Sequence, residues 1–513
     1  MINLAFILHM HQPYYKNLLT GEAELPWARL HGIKDYLDMA LFLDEFPGMR
    51  QTFNVVPSLL EQLEGYVSGE LTDKFLRLSY KKAHDLTERD KLFIRDNFFS
   101  ADLNRIVAVH PRYYQLFLRR HSDFEFSDQD YLDLQVWFNL AWFDPRFRQD
   151  IPELRSMVKK SRYFTEEDKV VILDKQADIL KQIIPTYKRL QEENRLEVSL
   201  TPYFHPILPL LFSSFAGHDA NPNIDLPKTI FSHPEDAIWH VQAAVEYYKD
   251  KFGVDPRGMW PSEQAVSLDV LPILMKAKLN WIVTDETILW KTCPKIKRDG
   301  RLLYRPYKIQ IKDAALTVVF RDKYLSDLIG FEYQNWRTKD AVDNFMHHLM
   351  KIKEYFGEDD CLVTIALDGE NCWEYYRNDG RDFLRLLYSR IAETDYLKTV
   401  TVSQYLQDNP PQHHLPDLST GSWIFGDLNK WMGHPAKNRA WELLTEARNS
   451  LTQEDLSNAQ LMKQLYVLEG SDWFWWFGDK QKDFDKLFRL HLKNFYQMSG
   501  RKPSVDLDTP LDI

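Results

Sequence analysis

The sequence contains few cysteines, no excess of basic residues and no long apolar run, and each shortage excludes a class of protein. Its 513 residues include 3 cysteines, which are too few and too widely spaced for a disulfide framework or a zinc ribbon. Lysines and arginines number 64 against 75 aspartates and glutamates, giving a net charge of −11. We therefore expect no nucleic-acid partner, because phosphate binding needs clustered positive charge. No apolar run approaches the ~20 residues that cross a bilayer, so we expect no membrane partner either.

The amino terminus lacks the features of a secretory signal. Residues 1–13, MINLAFILHMHQP, are apolar but carry no basic residue ahead of the apolar stretch and no small-residue cleavage site. An odd number of widely spaced cysteines fits a reducing compartment. These observations predict a cytoplasmic protein, and the sequence gives no indication of its oligomeric state.

Aromatic residues are abundant, with 15 Trp, 25 Tyr and 31 Phe. Most of them must belong to the core of so long a chain. Aromatic rings also stack on flat apolar surfaces, including the faces of sugar rings.

Seven short apolar runs of β type recur along the chain, and each ends in polar residues. They span 3–12, 51–58, 196–205, 257–263, 280–286, 316–322 and 362–370. Helical patterns separate most of them, for example at 234–253, 267–279 and 339–357. Alternating strands and helices predict an α/β fold with a parallel sheet, and continuous apolar strands predict burial on both faces. Seven such strands favour a TIM-like (β/α) barrel over an open sheet.

Two regions interrupt or follow this alternation. Residues from about 65 to 195 are rich in Leu, Phe, Tyr and charge and predict a helical insertion between the second and third strands. After about 410 the pattern changes, through DNPPQHHLPD, to helices and two tryptophan-rich loops. We therefore predict a catalytic barrel over 1–410 that contains the insertion, and a C-terminal helical domain over 411–513.

Polar side chains occupy the carboxyl ends of the predicted strands, which is where (β/α) barrels carry their active sites. A single polar residue at such a position is expected because a loop begins there. Polar residues at the ends of many strands together favour a functional site to which their side chains converge. These residues are His9, His11, Gln12, Asn54, His205, Trp260, Glu263, Asp285, Arg321, Asp322, Asp368 and Glu370.

The first strand ends in HMHQP, which places His9 and His11 on one face because side chains alternate along a strand. With His205 as a third ligand, the pattern fits a metal site. It fits equally well a pair of histidines that bond to a neutral ligand or a neighbouring carboxylate, so both interpretations stay open.

Glu263 and Asp368 each lie at a strand end with a tryptophan nearby, Trp260 and Trp373 respectively. Two facing carboxylates are what glycoside hydrolysis needs, and in retaining enzymes they stand ~5–5.5 Å apart. The group that acts as the acid must keep its proton near neutral pH, which an apolar wall or a nearby negative charge promotes. For Asp368, Trp373 would supply the wall and Glu370 the charge.

Two late loops, 420–433 and 469–479, combine glycine turns with clustered tryptophans. One interpretation is that Trp423 and Trp473 stack on a sugar while Asp472 accepts a hydrogen bond from a hydroxyl. The other is that the rings pack the helical domain onto the barrel, which we favour for Phe474, Trp475 and Trp476.

Five motifs in order resemble glycoside hydrolase family 57, the family of α-amylases, amylopullulanases, 4-α-glucanotransferases and branching enzymes. They are HMHQPYY, TPYFHPILPLL, GMWPSEQAVS, LDGENCWEYY and the late GSW…SDWFWWFGD, and they run from about residue 3 to 479. The resemblance is to the amylase-like branch. It implies a (β/α)7 barrel with a helical domain that completes the cleft, a retaining mechanism, an α-glucan or maltooligosaccharide substrate, and no essential metal or other cofactor.

The resemblance also implies roles for individual residues. Glu263 would be the nucleophile and Asp368 the general acid/base. His9 and His11 would contact the sugar beside the cleaved bond, and Glu370 would be a partner of the acid/base. The remaining expected substrate-binding residues are Gln12, Glu197, His205, Trp260, Asp285, Arg321, Asp322, Asp327, Trp373, Trp423, Asp472 and Trp473.

Three alternatives stay open on sequence alone. The same site would serve an α-glucan transferase as well as an amylase-like hydrolase, since only the acceptor differs. A metal-dependent hydrolase of the polysaccharide deacetylase kind would use His9, His11 and His205. A catalytically silent glucan-binding protein is the third, although the intact carboxylate pair argues against it.

Overall fold

Seven parallel strands form the centre of the computed structural model, which describes residues 1–122, 125–370, 372–479 and 481–511. They are β1 (Ile2–Met10), β2 (Gln51–Val55), β3 (Leu196–Leu200), β4 (Gly258–Met259), β5 (Trp281–Asp285), β6 (Ala314–Arg321) and β7 (Cys361–Asp368). Each strand from β1 to β6 pairs with the next, and β7 pairs with β1. The ring closes at a single position, where Thr364 of β7 lies opposite Arg321 of β6. The predicted barrel of seven strands is confirmed.

The strands are apolar throughout because both of their faces are covered. All nine residues of β1 are buried. Ala5 and Ile7 pack with Trp281 and Ala366 in a cluster that fills the barrel, whereas Phe6 joins the larger cluster outside it, beneath the helices. Side chains alternate along a strand, so β1 directs its odd-numbered residues inward.

Further short strands extend this framework. Tyr307–Ile311 pairs antiparallel with β6, His413–His414 pairs with Tyr307–Ile311, and Leu397–Thr399 pairs with β1. Glu22–Ala23 and Thr72–Asp73 form a separate two-stranded sheet.

Helices follow each barrel strand in turn. They are Trp27–His31, Leu37–Glu45, Pro57–Ser68, Leu208–Phe212, Ala216–Ala220, Pro234–Phe252, Leu271–Lys276, Glu286–Thr292, Gly300–Leu303, Lys323–Asp327, Thr338–Phe356, Arg381–Ala392 and Val402–Asp408. Short π- or 3-10-helical turns occur at Gly32–Tyr36, Ser262–Gln264, Leu328–Glu332, Tyr333–Asn335, Trp373–Tyr375 and Arg377–Gly380. Among the helices of the described residues, none is both long and apolar enough to cross a membrane.

The region between β2 and β3 is helical, as the sequence predicts. Its elements are Lys74–Tyr80, Ala83–Asp85, Glu88–Asn97, Leu103–Val107, Pro111–Arg119, Asp128–Ala141, Pro145–Asp150, Pro152–Lys160, Glu166–Leu180 and Ile183–Glu192. Thr87, Ser127 and Thr165 each begin a helix with a capping box, in which the side chain accepts from the third helical N–H and an aspartate returns the bond. The helix Pro57–Ser68 crosses the predicted start at 65, and the division into domains stays a prediction.

The C-terminal segment packs on the carboxyl ends of the barrel strands. It contains the helical elements Pro435–Asn449, Asp455–Ser457, Ala459–Leu468, Ser471–Trp476 and Lys482–Ser499. The backbones of Gly421 and Val266 exchange two hydrogen bonds, of 2.9 and 3.1 Å. The hydroxyl of Ser471 lies 2.8 Å from Nδ1 of His205. These contacts enclose the mouth of the barrel.

Candidate active site

A cleft of about 510 Å³ lies at the carboxyl ends of β1, β4 and β7. The barrel, the helical insertion and the C-terminal segment all contribute to its walls. Its polar lining includes His9, His11, Gln12, His31, Asp102, Glu263, Asp368, Glu370, Glu374 and Asp472, and its aromatic lining includes Tyr15, Trp27, Trp142, Trp423, Trp475, Trp476 and Phe484. The structure therefore brings both predicted carboxylates, both predicted histidines, Trp423 and Asp472 to one cavity.

Glu263 is presented to the cleft by a strained turn after β4. Its φ of 58° and the 52° of Gln264 lie in the left-handed region, which costs about 1–2 kcal/mol for a residue with a side chain. The hydroxyl of Thr284 holds the turn by donating to the Gln264 carbonyl at 2.8 Å. The indole N–H of Trp423 donates to Oε2 of Glu263 at 2.8 Å. Backbone strain held by surrounding contacts is common at functional sites.

The Glu263 and Asp368 carboxyl groups influence each other's protonation. Burial and the charge of Asp368 raise the pKa of Glu263 to about 8, whereas the hydrogen bond from Trp423 favours the ionised form. Because two close carboxylates resist ionising together, the pair keeps one proton near neutral pH. One ionised and one protonated carboxyl group is the state that a retaining glycosidase requires.

The backbone of β1 fixes the loop after Asp368. Gly369 donates its N–H to the His9 carbonyl at 2.7 Å. Oε1 of Glu370 accepts from the His11 backbone N–H at 3.1 Å, from Gln12 at 3.3 Å and from the Tyr36 hydroxyl at 3.3 Å. Burial and the charge of Asp368 hold the pKa of Glu370 well above its usual range. Glu370 thus joins the ends of β1 and β7, and its raised pKa favours the uncharged form, so the prediction that it supplies a negative charge to Asp368 is not supported.

The histidines form a hydrogen-bonded chain with a defined set of tautomers. His9 bonds through Nδ1 to the Asn54 carbonyl oxygen at 2.6 Å. It must therefore carry its proton on Nδ1 and accept at Nε2. His205 donates to that nitrogen from its own Nε2 at 3.2 Å and accepts at Nδ1 from the Ser471 hydroxyl at 2.8 Å. Burial lowers the pKa of His9 to about 3 and that of His205 well below its usual value, which keeps both rings neutral.

His11, His205 and Asp472 carry ligand-type atoms within 4.8 Å of one another, as a metal site would. The rings of His11 and His205, however, stack face to face, 3.9 Å apart and 16° from parallel. The lone pair of an imidazole nitrogen lies in the plane of its ring, so a bound ion must lie in that plane about 2 Å from the nitrogen. Two nearly parallel, stacked rings have separate planes, and one ion cannot lie in both. Nε2 of His205 also carries the proton that it donates to His9. This arrangement fits hydrogen bonding and does not fit a metal centre.

Several predicted residues support the cleft from behind it. Trp260 is fully buried and stacks on His9 with ring centroids 4.9 Å apart. Arg321 forms ion pairs with Asp285 at 3.1 Å and Asp327 at 2.6 Å. Its guanidinium group lies 5.3 Å from the ring centroid of Trp423. The ion-pair chain therefore positions the tryptophan that contacts Glu263.

Three further predicted substrate contacts, His205, Trp260 and Asp285, are fully buried behind the cleft and do not line it. Four others lie farther away, and the structure corrects them as well. Glu197 is in the first half of β3 and bonds to Ser403 and Trp281, away from the carboxyl end of its strand. Asp322 caps the helix Lys323–Asp327 and accepts from the Tyr304 hydroxyl.

The other two corrections concern tryptophans that are buried in the core. Trp373 donates its indole N–H to the Gly369 carbonyl at 3.0 Å, which holds the loop after β7. Trp473 is 1% exposed and donates to the Val467 carbonyl at 2.8 Å. Neither residue lines the cleft.

The cleft instead uses Trp475 and Trp476, which the sequence analysis assigned to packing. The segment 471–476 is a helix, so residues three and four positions after Asp472 share its face while Trp473 turns into the core. This helical spacing was the signal that could have identified them. Trp27 and Trp142 come from segments without a strand end, and no local pattern marks them.

A second cavity of about 320 Å³ continues beyond the carboxyl pair. Asp368, Trp423 and Trp475 line both cavities. Phe331 and Tyr375 line only the second and are 65% and 51% exposed. Asp368 therefore lies where two binding spaces meet.

Known proteins similar to this chain include an α-amylase of Pyrococcus abyssi (strain GE5 / Orsay), 23% identical over 257 residues. That match covers 48% of this chain and 32% of the amylase, so this chain spans about a third of the length of the curated relative it matches. A branching enzyme of Pyrococcus horikoshii is 18% identical with a TM-score of 0.60, over 98% of this chain and 93% of that chain. The α-amylase AmyC of Thermotoga maritima is 15% identical with a TM-score of 0.57, over 99% and 95%. At these identities the two solved structures show a shared fold.

The sequence model of glycosyl hydrolase family 57 matches residues 5–417, well over half of the 513 residues. The matched range contains all seven barrel strands together with Glu263 and Asp368. The chain therefore belongs to glycosyl hydrolase family 57.

Proposed function

We propose that the protein is a retaining glycoside hydrolase that acts on α-glucans, with Glu263 as the nucleophile and Asp368 as the general acid/base. One observation carries the proposal: two carboxyl groups at the ends of different barrel strands, Glu263 and Asp368, line one aromatic cleft. Family membership and the likeness to an α-amylase and a branching enzyme support the substrate class.

In the first half of the reaction, Glu263 attacks the anomeric carbon while Asp368 protonates the departing glycosidic oxygen. This step needs an ionised Glu263 and a protonated Asp368, so the proton that the raised pKa of about 8 favours on Glu263 in the free protein must lie on Asp368 when the bond is cleaved. The hydrogen bond from Trp423 stabilises the charge on Glu263.

In the second half, Asp368 accepts a proton from the incoming acceptor, which displaces Glu263 from the glycosyl-enzyme. Water as acceptor gives hydrolysis. The tryptophans of the cleft offer faces on which sugar rings stack, and His11 and Asp472, bonded to each other at 2.8 Å, offer polar atoms to sugar hydroxyls.

A second candidate function is α-glucan transfer, in which a sugar hydroxyl replaces water. The cavity beyond Asp368 favours it, because Phe331, Tyr375 and Trp475 provide aromatic surfaces on the acceptor side of the acid/base. A bound acceptor sugar would exclude water from the glycosyl-enzyme.

The test of the shared mechanism is Glu263→Gln. We expect turnover of maltoheptaose to fall by about 10⁴-fold or more, because the variant cannot form the covalent intermediate. Glu358→Gln, on a fully exposed glutamate, is the control and should retain activity. Azide should restore turnover to Glu263→Ala and yield a glycosyl azide. Wild-type activity in Glu263→Gln would refute the assignment.

The products of the wild-type enzyme separate the two functions. Short sugars alone indicate hydrolysis. Chains longer than the donor indicate transfer, and new α-1,6 linkages indicate branching. Absence of any product from maltoheptaose and amylose would instead point to a binding protein.

A further inference from the structure

A third cavity, of about 880 Å³, lies between the helical insertion and the loop after β7. Among the described residues that line it are six with permanently cationic side chains: Lys34, Arg105, Arg148, Arg155, Lys159 and Arg377. Three acids, Glu374, Asp379 and Asp382, also line it. A local excess of positive charge is unexpected in a chain with a net charge of −11.

Most of these cations are not neutralised within the protein. Lys34 forms ion pairs with Asp35 at 2.8 Å and Asp379 at 2.5 Å. The other five have no carboxylate oxygen within 4.0 Å in the part of the chain that the structure describes. Arg148 donates to Nε2 of His110 at 2.8 Å, a neutral acceptor because burial lowers the pKa of that ring to about 3.

The acids beneath the cavity offset this charge only in part. Asp38 and Asp144 are buried, and burial together with neighbouring carboxylates holds their pKa values well above the usual range. Burial therefore favours their protonated, uncharged forms. Asp35 and Asp379 share the ammonium group of Lys34. The guanidinium groups that line the cavity are therefore available to bind an anionic ligand.

The lining differs in kind from that of the cleft. Phe143 and Tyr376, which line it, are 1% and 5% exposed and present no face for a sugar ring, and the ring of His110 stacks on Trp137 with centroids 4.5 Å apart. Neutral sugars bind where aromatic faces are open. Guanidinium groups, by contrast, match the oxygens of a phosphoryl group in charge and in geometry.

We propose that this cavity, lined by Arg105, Arg148, Arg155 and Arg377, is a binding site for a phosphoryl group carried by a sugar. The carrier is either a free sugar phosphate or a phosphorylated unit of a glucan chain. The cavity is adjacent to the cleft, because Glu374 lines both and the turn Leu103–Val107, which carries Arg105, begins beside Asp102 of the cleft. A phosphorylated glucan could therefore occupy both spaces.

Calorimetric titration of the whole protein tests the site without depending on catalysis. Glucose 6-phosphate and inorganic phosphate should bind at millimolar concentration, and glucose should not. Arg105→Gln and Arg377→Gln should each weaken binding about tenfold, since each removes a charge-assisted hydrogen bond. The control is Arg337→Gln, whose side chain is 86% exposed and pairs with Asp340, and it should bind as the wild type does.

A second titration, of Glu263→Gln with maltoheptaose that carries a 6-phosphoryl group, distinguishes the two carriers without turnover of the ligand. Tighter binding than that of glucose 6-phosphate or of plain maltoheptaose indicates a phosphorylated glucan, and binding equal to that of glucose 6-phosphate indicates a free sugar phosphate. The proposal is overturned if neither phosphate ligand binds, if glucose binds equally well, or if both arginine variants keep wild-type affinity.

Discussion

Trp423 bonds twice to Glu263: its indole N–H donates to the carboxylate at 2.8 Å, and its backbone N–H donates to the Glu263 carbonyl at 3.3 Å. The C-terminal segment thus holds the proposed nucleophile of the barrel in place. The side-chain bond favours the ionised carboxylate, and the backbone bond restrains the left-handed turn.

Trp423→Phe removes the side-chain bond and keeps most of the ring. A hydrogen bond to a charged group contributes about 1.5–3 kcal/mol, so we expect kcat/KM to fall by about 10- to 100-fold. The acidic limb of the pH profile should also move to higher pH, because the ionised form of Glu263 loses its donor. Trp336→Phe, at a 44% exposed tryptophan outside the cleft, is the control. An unchanged rate and profile in Trp423→Phe would show that the bond does not serve the reaction.

The interaction of Glu263 with Asp368 predicts a shift of the acidic limb to lower pH, opposite to the shift expected for Trp423→Phe. In the wild type, burial and the charge of Asp368 raise the pKa of Glu263 to about 8. Asp368→Asn removes that charge, so Glu263 should ionise at lower pH. The substrate for this test is α-maltosyl fluoride, because fluoride leaves without protonation. The acidic limb of its kcat/KM profile should lie at lower pH in the variant than in the wild type, and an upward shift would contradict the coupling.

Much of the fold and part of the site follow from local sequence. The seven barrel strands were predictable because each is a continuous apolar run buried on both faces. Glu263, Asp368 and His9 were predictable as candidates because each follows such a run, and parallel strands in a barrel bring these ends together.

The remainder depends on packing that no local pattern encodes. Trp373 and Trp473 lie in segments whose composition is typical of a substrate-binding loop, but the backbone directs each ring into the core. Trp142 reaches the cleft because the insertion folds over the barrel mouth, and Trp27 reaches it from the helix Trp27–His31 after β1. Sequence spacing indicated a possible metal site at His9, His11 and His205. The stacking of the His11 and His205 rings is not visible in that spacing, because these rings bond to Asp472 and Ser471 of the C-terminal segment.

The neutral histidine chain predicts that the enzyme does not depend on a metal. Treatment with a chelator should leave turnover of maltoheptaose unchanged, and added zinc should not increase it. The purified protein, analysed by elemental mass spectrometry, should contain no stoichiometric transition metal. Loss of activity on chelation with recovery on adding one metal would overturn the geometric argument against ligation.

Substitutions in the cavity beyond Asp368 should alter the ratio of transfer to hydrolysis. Phe331→Ala and Tyr375→Ala each remove an exposed ring on the acceptor side. If sugar acceptors stack there, the ratio of transfer to hydrolysis should fall several-fold in each variant, since a stacking contact is worth about 0.5–1.5 kcal/mol. Hydrolysis of α-maltosyl fluoride should change little. Tyr163→Ala, at a 65% exposed tyrosine of the insertion, is a matched control.

The close packing around Gly258 predicts that the position of Glu263 depends on how side chains pack inside the barrel. A Cβ built on this residue would lie 1.9 Å from Trp281, whose ring fills the space beside β4. Gly258→Ala should therefore force Trp281 or β4 to move, lowering the free energy of unfolding by about 1–3 kcal/mol. Urea unfolding measures this loss, and Gly48→Ala, where a Cβ would meet nothing within 4 Å, should show none. Because β4 leads directly to the turn that presents Glu263, the folded fraction of Gly258→Ala should also have a lower kcat. A variant with wild-type stability and activity would show that the Trp281 side chain moves aside without displacing the turn.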